Sequence, residues 1–221
     1  MNAPTGKVLA ELRAKAQADH RALRSRIDRL SDDAIDLILR DARSHYAWTD
    51  KPIPDGLLEE LYEITSNGPT SMNTLPARFT FVYTPEGKAK LAKSLKPQNV
   101  AKMMGAPVTV IVSHDMDFWK RLPELFPHED RRHLFDGKPE YCADTAFRNG
   151  TMQGAYLMIA ARALGLDVGA MSGFSNAIVD EEFFAGTTIK SNFLCNIGYA
   201  DETALFQKLP RLAFDQACSF A

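Results

Sequence analysis

The sequence predicts a single α+β domain. Three observations carry that prediction: short β-branched or aromatic runs read as strands, helical signals fall between them, and one helical signal far outlasts the others. The chain has 221 residues, 45% hydrophobic and 24% charged. That length can bury a sizeable core without disulfide staples, as one large domain or two small ones. No internal repeat and no Gly- or Ser-rich linker divides it.

Residues 1–30 stand apart. Seven Lys or Arg against three Asp or Glu give them a net +4, and the whole chain is −2, so the other 191 residues carry −6. Leu9, Leu12, Ala16, Leu23, Ile27 and Leu30 recur near helical spacing. They predict an amphipathic helical extension packed on the domain or on a partner subunit, with a membrane-surface or partner-binding arm as the alternative.

The main domain is expected over 31–221. Ser31 followed by Asp32 and Asp33 is a helix start, with the acidic pair at the positive end of the dipole. That helix is expected to run through AIDLILRDA and stop near Trp48. A second starts near Asp55, carries LLEELYEIT, and ends at the Gly68-Pro69 break. ARFTFVYT (77–84) alternates as a strand does. Thr84-Pro85-Glu86 caps a short helix with Pro at its first position, and PVTVIVS (107–113) reads as a buried strand.

Residues 116–140 form an aromatic-rich stretch without a clear period, either an active-site cover or a surface insertion. The longest helical signal runs from Glu140 to Leu166. It is apolar nearly all round from Ala155 to Leu164, which predicts a central, buried helix. LDVGAMSG is then a short strand or turn, NAIVDEEFF a helix, and NFLCNIGY (192–199) the last strand.

Several function classes are excluded by what is missing. A net charge of −2 offers no field for nucleic acid or an anionic membrane. Cys142, Cys195 and Cys218 are scattered and odd in number, so neither a disulfide framework nor a zinc knuckle is expected. The N-terminal residues lack an apolar signal region, and no run approaches 18 apolar residues, so a cytoplasmic, non-membrane protein is expected. His128 and His133 are five apart, about 140° round a helix, so the zinc-protease pattern fails and no metal is expected. Gly169-Ala-Met-Ser172-Gly173 places its Ser one residue late for a nucleophile elbow. Neither a P-loop nor a Gly-x-Gly-x-x-Gly fingerprint is present.

Polar clusters remain, each in a break between regular elements, where binding residues concentrate. They are Arg43-Ser44-His45; the turn Pro69-Thr70-Ser71-Met72-Asn73-Thr74-Leu75-Pro76; Asn99-x-x-Lys102; Met171-Ser172-Gly173-Phe174; and Lys208-Leu-Pro-Arg211. Singly, each has a bland explanation as a cap, turn or surface pair.

Together, and in this order, they resemble the FMN-dependent nitroreductase family over roughly residues 34–221. The most specific parts are PTSMNTLPARF (69–79) and the MSGF that follows a long helix ending in ALGLD. LPELFPH, TAFRN, IKSN and LPRL look like one branch, that ascribed to malonic semialdehyde reductases (3-hydroxypropionate dehydrogenases) linked to pyrimidine degradation. The resemblance implies a nitroreductase-like fold, a central, mostly antiparallel sheet flanked by helices, in a domain-entwined homodimer. By the same resemblance Arg43 and Ser44 lie at the FMN phosphate, with Arg211 converging and His45 nearby as a phosphate contact, a structural contact or a proton donor. Asn99 and Lys102 meet the flavin edge that becomes electron-rich on reduction. Met171, Ser172 and Gly173 pass close to N5. Pro69, Thr70, Ser71 and Asn73 reach the cofactor of the other subunit.

The chain departs from the family pattern in places. Ala42 and Tyr46 occupy positions usually basic, Leu75 and Ala77 replace Gln and Trp, and Ser172 replaces a common acidic residue. No side chain is a convincing catalytic acid, and in this family the flavin does the chemistry. The function implied is NAD(P)H-dependent hydride transfer through flavin N5 in a ping-pong cycle, using NAD or NADP. Malonic semialdehyde, giving 3-hydroxypropionate, leads as substrate. Nitro compounds or quinones are the alternative, and an FMN-binding protein without turnover is a further one.

Overall fold

The computed structural model describes residues 6–221. The first five residues of the expected N-terminal extension lie outside the described residues. The remainder of that segment forms α1 (Lys7–Arg26), a helix with no buried residue.

Local signals set most of the element starts. Ser31 Oγ accepts the Ala34 N–H at 3.2 Å and caps α2 (Asp32–Ile35), which continues as a π-helical turn, Asp36–Arg40. Thr84 caps α4 (Pro85–Ala92) by accepting the Gly87 N–H at 3.1 Å, with Pro85 in the first turn. Between these lie α3 (Leu57–Thr65) and β1 (Ala77–Val82). After them come α5 (Pro97–Gly105), β2 (Val108–Asp115), the single turn α6 (Leu122–Leu125) and the long α7 (Pro139–Ala163). The chain ends with β3 (Asp167–Met171), α8 (Asn176–Phe184), β4 (Ile189–Gly198) and the short α9 (Phe214–Ala217).

The four strands form one antiparallel sheet in the order β1-β2-β4-β3. Its central strand β2 is buried from Val108 to His114, which explains the unbroken VTVIV run. Val108, Val110 and Val112 face α3 and α7, packing with Leu61, Leu157, Ala161 and Ile197. Ile111 faces the other way, into Leu91, Met103, Val179 and Leu194 under α4, α5 and α8. The sheet is therefore covered on both faces. Gly154 lets α7 sit directly on it, since a Cβ there would lie 2.6 Å from the Phe193 ring and 2.9 Å from Val112 Cγ1.

Two expectations change and a third gains detail. The first core helix stops at Arg40 instead of reaching toward Trp48. Residues 43–48 run extended because Ser44 pairs in parallel with Val168 and Trp48 pairs with Ala200, so the sheet edge takes backbone groups a helix would have satisfied internally. The helix expected to be buried all round is not: Leu157 and Ala161 are covered, while Tyr141, Phe147 and Tyr156 are exposed in the single chain. The 116–140 stretch, expected as an active-site cover or a surface insertion, carries a small core of its own: Phe118, Leu122 and Phe135 pack against Cys142 and Ala146 of α7. Among the described residues, no helix is long and apolar enough to cross a membrane.

Candidate functional site

The extended strip 43–46 lines the outer edge of β3. The His45 N–H donates to Val168 O at 3.0 Å, fixing the strip in register. Gly169 makes the approach possible, because a Cβ there would overlap His45 O. Alternate side chains of an extended strip face opposite sides. Ser44 and Tyr46 line a cavity of about 470 Å³, together with Arg43, Arg162, Lys208 and Arg211. No carboxylate lines it.

Each cation is held differently. Arg43 donates to Phe206 O, tying the strip to the C-terminal segment. Arg162, from the otherwise apolar part of α7, donates to Ile38 O at 3.2 Å and Arg43 O at 3.3 Å. Burial pulls the Arg162 pKa below the usual guanidinium value, which leaves the group charged at neutral pH. Arg211 is exposed and bonds only the nearby carbonyls of Leu209 and Pro210, at 3.0 and 3.1 Å.

The sequence groups His45 with the cofactor residues, but the structure turns its ring to the other side of the strip. There Nε2 lies 3.2 Å from Asp167 Oδ1, in a separate cavity of about 270 Å³ that Asp36 and Asp41 also line. Strand alternation is the cause, and it was not legible while these residues were read as the tail of a helix. Burial lowers the His45 pKa, Asp167 opposes that, and Arg162 and Arg43 add to it.

A second group adjoins the first. Asn99 Nδ2, on α5, donates to Gly173 O at 3.1 Å, and a Cβ on Gly173 would lie 2.5 Å from that nitrogen. Lys102 donates to Asn99 Oδ1 at 3.5 Å and lies 4.7 Å above the Tyr46 ring. Tyr46 also meets Phe206 edge-on at 6.2 Å. Thus Tyr46, standing where the sequence pattern has a basic residue, links Lys102 to the cation-lined cavity. Met171 closes β3, and its side chain packs half-buried against the second core cluster. Ser172 follows it in the turn to Gly173.

The turn 69–76 lies elsewhere. It leads into β1, and two strands stand between β1 and β3, about 14 Å at the usual strand spacing. One chain therefore brings Arg43, Ser44, Asn99, Lys102, Gly173 and Arg211 to one side, and leaves Pro69, Thr70, Ser71 and Asn73 at the opposite sheet edge. Met72, Asn73 and Leu75 have positive φ of 50°, 53° and 41°. Such conformations cost on the order of 1 kcal/mol per non-glycine residue and persist only where surroundings enforce them. Asn73 Nδ2 donates to Leu125 O at 2.8 Å, and Met72 packs on the Phe118 cluster. Leu75 N–H donates to Thr70 Oγ1 at 3.2 Å. Arg78 donates to the carbonyls of Leu75, Pro76 and Ala77 and pairs with Asp115 at 2.9 Å.

Sequence reasoning missed Arg162, Asn149 and Gln153, all on α7. Arg162 carried a signal, a lone charge in the apolar run of that helix, whereas Asn149 and Gln153 lie in its more polar half beside Arg148 and Thr151, where nothing marks them out.

The sequence model of the Nitroreductase family matches residues 39–199. A Stenotrophomonas maltophilia protein, provisionally named NADH dehydrogenase/NAD(P)H nitroreductase, is 56% identical over 188 residues, 85% of this chain and 96% of that protein. A Xanthomonas oryzae pv. oryzae protein of the same name is 55% identical over 193 residues, covering 87% and 98%. Among solved structures, an Exiguobacterium sibiricum protein described as a nitroreductase, in complex with FMN, superposes with TM-score 0.75 at 21% identity, covering 87% of this chain and 99% of that one. A gut-bacterial enone reductase gives 0.74 at 19%, covering 87% and 99%. The chain belongs to the nitroreductase family, whose match takes in the whole sheet, α7 and the turn before β1.

Proposed function

We propose that this chain is an FMN-dependent NAD(P)H oxidoreductase working as a homodimer. The observation that carries the reading is the cavity where Arg43, Arg162, Lys208 and Arg211 gather around Ser44 without a carboxylate. Four cations beside a hydroxyl suit a phosphate dianion, and an Arg fork meets its oxygens two at a time. We assign Arg43, Ser44 and Arg211 to that phosphate. Lys102, braced by Tyr46 and Asn99, stands to stabilise negative charge on a reduced flavin ring. Gly173, with no side chain in the way, and Ser172 offer backbone N–H groups to the ring. Bound FMN supplies hydride exchange at N5, from NADH or NADPH to a second substrate. His45 is assigned a structural role beside Asp167.

The dimer is supported by surface. A compact 24.6 kDa monomer exposes about 10,000 Å². This chain exposes 13840 Å². The surplus, roughly 3,800 Å², exceeds what one chain of many obligate dimers buries. Exposed Phe206, Leu209 and Leu212, and Tyr141 and Phe147 on α7, are apolar enough to fill such an interface. In that dimer the partner's cavity would receive Pro69, Thr70, Ser71 and Asn73. Residues 31–221 are the flavin-binding unit and 1–30 an appendage.

For the second substrate, the branch motifs LPELFPH, TAFRN and IKSN favour malonic semialdehyde, reduced to 3-hydroxypropionate. Relatives above 50% identity named for nitroreduction favour nitro compounds or quinones as the second reading. A visible spectrum, then anaerobic bleaching by NADH or NADPH and reoxidation by each candidate, separates these. Expected are a yellow protein, bleaching, and reoxidation by the semialdehyde. A colourless chain that takes up no added FMN overturns the flavin assignment, and reoxidation by nitrofurans alone replaces the substrate.

A further inference from the structure

The turn 69–76 is strained. Met72, Asn73 and Leu75 sit in the left-handed region, which Asn tolerates but Met and Leu enter only where their surroundings hold them. Its one internal side-chain bond runs from Leu75 N–H to Thr70 Oγ1. Its middle is held by the backbone bonds of Asn73 N–H to Thr70 O and Thr74 N–H to Ser71 O and by the contacts of Met72, Asn73 and Arg78 described above; its two flanks are held by α7. Asn149, Gln153 and Tyr156 are spaced i, i+4 and i+7, one stripe of a helix. Asn149 Oδ1 accepts the Ser71 N–H at 2.8 Å, and Gln153 Oε1 accepts the Ala77 N–H at 2.9 Å. The Tyr156 ring fills the place of a Gly68 side chain, 2.7 Å from where a Cβ would fall. The two bonded N–H groups bracket the strained residues, one before Met72 and one after Leu75.

The amides are also poorly explained as packing. Asn149 and Gln153 are 4% and 5% exposed in a helix face otherwise covered by Ala146, Gly150, Gly154 and Leu157. A buried amide is unfavourable unless its hydrogen bonds compensate. Asn149 is bonded on both sides, its Nδ2 donating to Thr145 O at 2.8 Å.

We propose that Asn149 and Gln153 are positioning residues for the flavin: they hold the 69–76 backbone in the one conformation that presents Thr70, Ser71 and Asn73 to the cofactor. This rests on the reading that the turn contacts FMN. With the clamp, the turn is shaped during folding and FMN meets a preformed surface. Without it, the strained residues relax, and binding must rebuild the turn. The loss then falls on the cofactor complex more than on the free chain, whereas an amide that merely satisfied a backbone N–H would weaken both forms equally.

The experiment uses the full chain and three substitutions. Asn149→Leu and Gln153→Met keep side-chain size and remove the acceptor, while Asn149→Asp keeps an oxygen for the Ser71 N–H. FMN affinity is read by quenching of flavin fluorescence, and melting is followed with and without saturating FMN. We expect Asn149→Leu and Gln153→Met to raise the FMN Kd about tenfold each and to shrink the FMN-induced rise in melting temperature. Asn149→Asp, which keeps the acceptor for the Ser71 N–H but loses the donor to Thr145 O, is expected to recover part of the affinity. Unchanged Kd in both acceptor-less variants, or equal melting losses with and without FMN, overturns the proposal. Should Asn149→Leu not fold, Gln153→Met decides it alone. Failure of the natural chain to bind FMN overturns the flavin reading itself, and this inference with it.

Discussion

Two regions hold the residues proposed to bind the cofactor, and they are built on opposite plans. Around the 43–46 strip, recognition rests on the tips of charged side chains. Arg211 is exposed and bonds only carbonyls of its own segment, and Arg43 is half-buried against Phe206. At 69–76, recognition rests on backbone shape, and the bonds that set it are buried amides of α7. The difference follows from distance dependence. Charge attraction falls slowly, so an Arg placed loosely still draws a phosphate. A hydrogen bond to a ring fails within an ångström, so its donor must be fixed beforehand.

The contrast breaks first at Arg43. Arg43→Ala removes a charged donor to the phosphate and the tie to Phe206 O. It is expected to lower FMN affinity by about 2 kcal/mol, roughly thirtyfold, in equilibrium titration. The FMN-free chain should melt nearly as before, since Arg43 covers no core. An affinity within threefold of the natural chain means the phosphate lies elsewhere.

Gly169→Ala attacks the same region through its backbone. The new Cβ meets His45 O, which cannot swing aside as a side-chain tip could. The strip must lift from β3, at about 1–3 kcal/mol, or a fall of roughly 2–12 °C in melting temperature. The turn at β1 should be untouched: amide exchange at Ser71 and Ala77 stays slow while that at His45 quickens. Equal loss of protection at both ends would show the two regions to be one cooperative unit.

Much of the fold was legible because its causes are local. Ser31 and Thr84-Pro85 cap helices within three residues of themselves, and VTVIV needs only its own composition to read as a central strand. The candidate site was legible as residue types in order, but its geometry was not. Asn149 is 78 residues from Ser71, and Gln153 is 76 from Ala77, so no window of sequence contains either clamp. The orientation of the His45 ring depends on a backbone bond to Val168, more than 120 residues away, so the local sequence leaves open which of its three roles it takes. The exposed aromatic face of α7 could not be told from a buried one, since both are apolar, and only the partner surface distinguishes them.

Acid separates the regions more gently. Each rests on one buried His: His45 behind the strip, and His114, which pairs with Ala77 and lies under Gly150 of α7. Burial lowers both pKa values from their ordinary range, with Asp167 opposing at His45 and Asp180 and Asp115 at His114. The unfolded chain therefore binds more protons near pH 6. Stability is complete above about 6.5 and is lost as pH falls below it toward the folded values. The urea midpoint should drop between pH 7.5 and 5.5. His45→Asn and His114→Asn should each flatten part of the slope, and a slope unchanged by both assigns the acid sensitivity to other groups.

The smallest effect is expected where neither plan operates. α1 buries no residue, and its ion pairs, Lys15–Asp19 at 2.6 Å and Arg24–Asp28 at 3.1 Å, are exposed pairs. Such pairs contribute a few tenths of a kcal/mol, and mostly to the helix that holds them. Among the described residues, the link from α1 to α2 makes one ion pair to α2, Arg29–Asp32 at 2.6 Å, and Asp32 keeps Arg40 if Arg29 is removed. A chain starting at Ser31 retains the α2 cap, both core clusters and both site regions. It should melt within about 2 °C of the full chain and bind FMN within about twofold. A larger fall in melting temperature, accompanied by dissociation in size-exclusion chromatography, would place the Leu9–Leu12–Leu23 stripe on a second copy. The comparison would then need a third region, held by neither charge nor clamped backbone but by apolar cover between chains.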